Sequence, residues 1–434
     1  MSQAVLHTAP TCPYIIGCVK YGRRFEPNAG QPRMSTVDPP GSNETLRHRA
    51  GRYIAQPTGY RAFYPAPLPP QPLPRLEGEL QILLSHADRA LGRLDGSIQT
   101  LPNPDLFVFM YVRKEAVLSS QIEGTQSSLQ DLLAAEAHIL APDRPRDVDE
   151  VVNYVAAMNY GLHRLQELPV SVRLIREIHQ RLLQGVRGIR LTPGELRVSQ
   201  NWIGPGGCTL REATYVPPPP HEVPLALGAL ETFLHADSTL PQLIQIGLAH
   251  AQFETIHPFL DGNGRVGRLL ITFLLCQREI LVKPVLYLSH FFKQHRVEYY
   301  ERLQAVRDNG DWEGWLAFFL RGVTSVSREA TETARRVLAL REDHRARVTI
   351  GLGRAAGNGH KVLEHLYRRP IVSVSDVQEL TGTTYTAANN LVSRLVELSV
   401  LVETTGYRRN RLFRYQAYIE MFGGPSDTAE GAAT

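Results

Sequence analysis

One run, set between two long apolar stretches, constrains this chain more than any other: His257-Pro258-Phe259-Leu260-Asp261-Gly262-Asn263-Gly264-Arg265-Val266-Gly267-Arg268. Upstream, residues 242–256 (QLIQIGLAHAQFETI) space Ile244, Leu248, Ala251 and Thr255 like one helix face. Pro258 disfavours helical backbone at the residue before it, so this helix should end near His257. From Arg265 onward, Leu269, Leu270, Phe273 and Leu274 describe a second buried helical face. The Gly-Asn-Gly turn therefore opens a core helix, where unpaired N–H groups and a positive dipole end suit an anion. Glycines let those N–H groups close on the anion as a concave nest. Arg265 and Arg268 are three apart, so their forked guanidinium groups leave one side of the first helical turn.

Asp261 precedes this cradle, and a lone carboxylate beside phosphates is a usual way to hold magnesium. His257 titrates near working pH and is placed to take a proton from an attacking hydroxyl. Taken singly, a histidine at a helix end is a cap and a Gly-x-Gly is a turn. In this order and spacing they read as a nucleotide phosphate site with a base beside it, suited to phosphoryl or nucleotidyl transfer.

The run HPFLDGNGRVGR resembles, position for position, the signature HxFx(D/E)GNGRxxR of the Fic (Fido) family, whose members mostly transfer AMP from ATP to a protein hydroxyl. The resemblance implies a mainly α-helical core with a β-hairpin flap. It makes His257 the base for a Ser, Thr or Tyr hydroxyl and Asp261 the ligand of Mg²⁺ on the α- and β-phosphates. Gly262, Asn263 and Gly264 would cradle the phosphates, Val266 and Gly267 completing the nucleotide-binding run. Arg265 and Arg268 would neutralise departing pyrophosphate. Residues 197–220 read as a hairpin around Gly204-Pro205-Gly206-Gly207 and, by resemblance, as the flap that registers a target segment. Tyr300 would line the adenine pocket. The intact GNG turn favours AMP transfer over the phosphorylating variant of the family.

Residues 106–138 read as a long amphipathic helix containing Ser119-Ser120-Gln121-Ile122-Glu123-Gly124. Ser119 and Glu123 are helix-face neighbours, and by themselves an ordinary surface pair. They also match the family's inhibitory motif (S/T)xxxE(G/N). The resemblance implies that Glu123 pairs with Arg268 where the γ-phosphate would sit, Gly124 letting the helix approach closely. In some relatives the same glutamate promotes AMP removal, so a net de-AMPylase is an alternative.

Beyond residue 328 a charged helix (TETARRVLALREDHRARV) is followed by GLGRAAGNG, residues 351–359, expected as a linker. Helical segments 361–369, 375–380 and 386–400, a turn at Gly382 and a basic hairpin at Gly406 read as a winged helix-turn-helix. Thr386, Asn389, Asn390 and Arg394 fall on the last of these helices, the would-be recognition helix, with Thr384 near its start, and Arg408, Arg409, Arg411 and Arg414 on its wing. A DNA-binding regulator using the core as a nucleotide sensor is the competing reading; protein contacts or dimer packing are the blander use of such a module.

The 434 residues suit two or three packed units, and a net charge of +4 is too small to require nucleic acid or an acidic membrane. Cys12, Cys18, Cys208 and Cys276 form no zinc pattern, there is no membrane-length apolar run, and no secretory signal is visible; a cytoplasmic chain is expected. The expected organisation is a disordered extension over 1–52 (Met34 an alternative start), an N-terminal domain with the inhibitory helix over 53–165, and the catalytic core over 166–325. Helix and linker follow over 326–359, the winged helix over 360–422 and a disordered tail over 423–434. The proline-rich 60–75 stretch is expected as an extended arm on the core. The partners implied are ATP, Mg²⁺, a target protein and a homodimeric copy, with no membrane.

Overall fold

The computed structural model describes residues 46–99, 101, 103–137, 145, 147–185, 192–405 and 411–422. The expectations for residues 1–45 and 423–434, for Cys12, Cys18 and Met34, and for the wing tip with Gly406, Arg408 and Arg409 lie outside these residues. The elements run β1 (Gly51–Ala55), β2 (Arg61–Pro65), α1 (Glu79–Gln99), α2 (Asp105–Ile122), α3 (Leu129–Glu136), α4 (Val148–Arg164), α5 (Val172–Leu182), α6 (Val223–His235), α7 (Gln242–Ile256), α8 (Asn263–Gln277), α9 (Ser289–Gln294), α10 (Arg296–Asn309), α11 (Trp312–Leu352), α12 (Ala356–Leu366), β3 (Ile371–Ser373), α13 (Val374–Thr381), α14 (Tyr385–Glu397), β4 (Val402–Glu403), β5 (Leu412–Arg414) and α15 (Gln416–Ile419).

The molecule is mainly helical, as expected. Helix α7 is buried from Leu243 to Ile256 on every side, and α8 nearly so. A helix wrapped all round by protein sits at the centre of a core, so one apolar face was too modest an expectation. Its neighbours are α8, α6, α11 and α10. The turn between α7 and α8 is thus fixed by two immobilised helices.

Four local expectations change. Residues 46–52 are ordered rather than an extension: Arg49 donates to Gly310 O (2.7 Å) and Glu313 Oε1 (3.1 Å), and β1 pairs with β2 from Gly51↔Pro65 to Ala55↔Arg61. The stretch 106–138 is not one helix. Gly124, at φ 101°, ends α2, and a Ser128/Asp131 capping box starts α3. The flap has one isolated antiparallel bridge, Ile203↔Tyr215, in place of a ladder.

The fourth change concerns residues 351–359. Helix α11 runs unbroken for 41 residues from the aromatic core into the charged stretch, and after a bend at Gly353 the chain re-enters helix α12. Gly359 serves contact rather than slack: a side chain there would meet Leu352 Cδ1 at 2.3 Å. Beyond it come α12, β3, α13, α14, β4 and β5 in turn, with an antiparallel sheet in the order β3-β5-β4; the strand β3 between the first two helices was not expected. Gly382 turns in the left-handed region at φ 66°, and Thr384 caps α14 by accepting from Ala387 N. Among the described residues no helix is long and apolar enough to cross a membrane.

Candidate functional site

The site begins where α7 ends inside protein. A buried helix C-terminus must find donors for its last carbonyls. Arg307 donates to Glu254 O (3.2 Å), Tyr215 OH to Thr255 O (2.5 Å), and Arg197 Nε to His257 O (2.9 Å). Asn201 Nδ2 donates to Phe259 O at 2.8 Å. Two cations at the negative end of a helix also complement its dipole. His257 itself turns the chain in the left-handed region (φ 49°), which sets its ring apart from the helix. Burial, then Arg197 and Arg307, pull the His257 imidazole down to about 3, and its Nδ1 has no partner. The ring is therefore neutral at physiological pH, with a lone pair available.

The following loop is clamped by its own asparagine. Asn263 Oδ1 accepts from Phe259 N and Nδ2 donates to Phe259 O, both at 2.8 Å. That commits the side-chain amide expected to touch phosphate: Asn263 shapes the turn, and only its backbone N–H faces outward. His179 stacks on Phe259 at 3.7 Å and 6° and lies 3.0 Å from Asp261 O, while its Nδ1 accepts from Gly194 N at 2.8 Å. The ring therefore carries its proton on Nε2, and burial pulls it down to about 4. At the head of α8, Gly262 caps at φ 77° and Val266 N is already bonded to Gly262 O (3.0 Å). The N–H groups of Asn263, Gly264 and Arg265 precede the first helical bond and point out of the helix end. Val266 contributes no N–H and its side chain is in the core, a correction to its place in the binding run.

Asp261 is half-exposed; Oδ1 accepts from Gly262 N (2.7 Å) and Oδ2 lies 3.4 Å from Arg265. Among the described residues no cluster of three or more metal-ligating side chains exists; Asp261 shares the cavity with two other carboxylates, Glu123 and Glu254. Arg265 is buried between Asp261 and Glu150 (3.2 Å).

Arg268 is 3 % exposed and fully engaged. It donates to Ser119 Oγ (2.8 Å), Ser119 O (2.9 Å) and Glu123 Oε1 (2.7 Å). The guanidinium holds the Glu123 carboxyl below its usual range despite burial. Gly264 makes this possible, because a side chain there would meet Glu123 Oε1 at 2.2 Å. Gly124 does not serve close approach, as expected earlier; nothing lies within 4 Å of it and its role is the positive φ. With Glu123 in place, the cavity it shares with Asn201, Trp202, His257, Asp261 and Tyr300 measures about 90 Å³. Ligand pockets usually start at about 300 Å³. The Glu123 carboxylate is one of the groups that line this small cavity.

Tyr300 lines this cavity, while Arg265, Val266, Gly267 and Ser119 do not. Gly267 instead accepts from His250 Nδ1 (2.9 Å), whose Nε2 accepts from Tyr299 OH (2.9 Å). Arg197, Asn201, Arg307, His179 and Glu254 also shape the site. Glu254, buried beside Gly267 and lining the cavity, has no partner for Oε1 and is pushed up to about 7 by burial. Nothing in the local sequence marks these residues. On the C-terminal module, Arg394 donates to Gly351 O, Arg411 to Asn389 (2.6 Å) and Arg414 to Gln130 (3.4 Å). These three arginines, which the competing DNA-binding reading would place on phosphates, each make a hydrogen bond within the chain.

Residues 82–163 match the family model described as Fic/DOC family N-terminal, and residues 169–275 that of the Fic/DOC family. Over 173 residues, 39% of this chain, the sequence is 32% identical to Protein adenylyltransferase Fic of Drosophila yakuba and 31% identical to that of Drosophila melanogaster. Those matches cover 31% and 32% of the two proteins, so the chain spans about a third of the length of the curated relatives it matches. The fold is similar to that of a Fic family protein from Desulfovibrio desulfuricans G20, with a TM-score of 0.54 and 21% identity over 79% of this chain and 98% of the other.

Proposed function

Residues 82–163 and 169–275 belong to the Fic/DOC family, and from that premise we propose that this chain is a protein adenylyltransferase restrained by its own Glu123. The substrate is ATP with Mg²⁺, and the acceptor is a Ser, Thr or Tyr hydroxyl on a protein, its own chain included. The acceptor oxygen attacks the α-phosphorus, and one P–O bond forms as the bond to pyrophosphate breaks. The neutral His257 imidazole takes the hydroxyl proton. The outward N–H groups of Asn263, Gly264 and Arg265 bind phosphate oxygens at the α8 N-terminus. Arg265 and Arg268 offset the charge that collects on pyrophosphate. Asp261, half-exposed at the cavity edge, suits Mg²⁺ that arrives with the nucleotide; the ion would neutralise phosphate charge.

In the restrained state Glu123 holds Arg268 and occupies the space against Gly264. A γ-phosphate would meet a carboxylate there instead of a free guanidinium. The single observation that carries this reading is the 2.7 Å contact between Glu123 and Arg268 at the mouth of the α8 cradle. The test is labelling with ATP carrying radiolabel on the α- or the γ-phosphate. Label on protein from the α-position alone supports AMP transfer; label from the γ-position would sink it.

A further inference from the structure

The helix that carries Glu123 has a second hold on it, supplied by the last residues described. Ser119 and Glu123 engage Arg268 at the C-terminal end of α2. Three to four turns earlier on the same helix, Phe107 and Tyr111 are fully buried. Phe422 closes on both, with ring centroids 6.3 Å and 5.3 Å away, the second edge-on at 84°. Phe422 in turn meets Tyr418 at 5.2 Å, and Tyr418 stacks on Tyr415 at 5.5 Å. The Tyr415 hydroxyl bonds His344 Nδ1 (2.9 Å) on α11 and the Tyr367 hydroxyl (3.2 Å) at the C-terminal end of α12. A row of rings thus leads from the middle of the C-terminal module to the inhibitory helix.

Part of this junction is open. A cleft of about 680 Å³ separates Phe109, Arg113 and Asp149 from His365, Arg368 and Asp376. Arg414 to Gln130, at 3.4 Å, also spans the gap. Phe422 therefore bears directly on this helix, and an 18-residue helix about 27 Å long conveys a tilt at one end to the other. A charge-assisted bond such as the one Glu123 makes depends steeply on its geometry.

We propose that Phe422 is a positioning residue for Glu123: through Phe107 and Tyr111 the C-terminal module sets how firmly α2 presents its carboxylate to Arg268. The inference rests on the restrained-transferase reading above. It makes the module a handle on the site, with no contact of its own with nucleotide.

Four full-length proteins test it: wild type, Phe422→Ala, Glu123→Gly and the double variant. Each is assayed for the initial rate of self-labelling from α-labelled ATP and for hydrogen exchange across residues 115–124. Phe422→Ala is expected to speed labelling at least about threefold and to speed exchange near Glu123, while leaving the Glu123→Gly rate unchanged within about a factor of two, because coupled residues are non-additive. An unchanged rate in Phe422→Ala, or an equal change in both backgrounds, overturns the handle and leaves the restraint standing. A Glu123→Gly protein no more active than wild type overturns the restraint itself. If Phe422→Ala does not fold, Phe422→Leu, which keeps apolar bulk but loses the edge-on ring, is read by the same comparison.

Discussion

Glu123 Oε1 lies 2.7 Å from Arg268 and also fills the volume that a side chain on Gly264 would need. One carboxylate therefore lies against both the cation and the backbone at the head of α8.

Replacing Glu123 by glycine should raise AMP transfer at least about tenfold, since the variant frees a charge-assisted contact. It should also lower the melting temperature, because Arg268 is left as an uncompensated buried cation. Added Mg-ATP should restore much of that loss by supplying phosphate to Arg268. Thermal shift with and without nucleotide reads this directly; a variant that nucleotide fails to protect would count against the shared site.

Gly264→Ala should not mimic Glu123→Gly, although it too expels the carboxylate. Its methyl group would stand where phosphate must approach the helix end. The expected protein is unrestrained and inactive, and the Glu123→Gly/Gly264→Ala double variant is inactive as well. Labelling by the double variant at the Glu123→Gly rate would show that phosphate does not use this surface.

His257→Ala should abolish labelling in the Glu123→Gly background. Because His257 is pulled down to about 3, the imidazole stays neutral well below its ordinary value of 6.5. The acid limb of kcat/KM, which reports the free enzyme, should fall below pH 5. A limb centred near 6.5 would contradict the burial of this ring.

Glu254 predicts a stability effect of opposite sign to an ordinary ion pair. Its carboxyl is raised from 4.5 to about 7, so the folded state binds the proton more tightly than the unfolded chain. Stability is then lost as pH rises from about 4.5 to 7, up to about 3 kcal/mol above that window. Glu254→Gln should gain more melting temperature relative to wild type at pH 8 than at pH 5. An equal difference at both pH values would refute an ionising buried carboxyl.

The helix boundaries around Pro258 and the glycine turn were legible because local backbone rules fix them. Glu123 was legible only through its spacing from Ser119 in a family-like motif; its partner lies 145 residues away. Arg197, Asn201 and Arg307 were not legible, since each caps α7 across a long sequence separation and looks like any surface residue. The all-round burial of α7 leaves no periodicity to count. Glycines misled at 351–359, where Gly359 permits close helix contact instead of a flexible join.

The unbroken run of α11 has a consequence for protease susceptibility. Arg335, Arg336, Arg341, Arg345 and Arg347 all lie on that helix, a dense row of tryptic sites by sequence. Cleavage needs a locally unfolded segment, and a helix pinned at Trp315 below and at Leu352 above opens only with the parts it joins. Under native conditions trypsin should spare this row and nick exposed loops instead, releasing the C-terminal module only when the core itself melts.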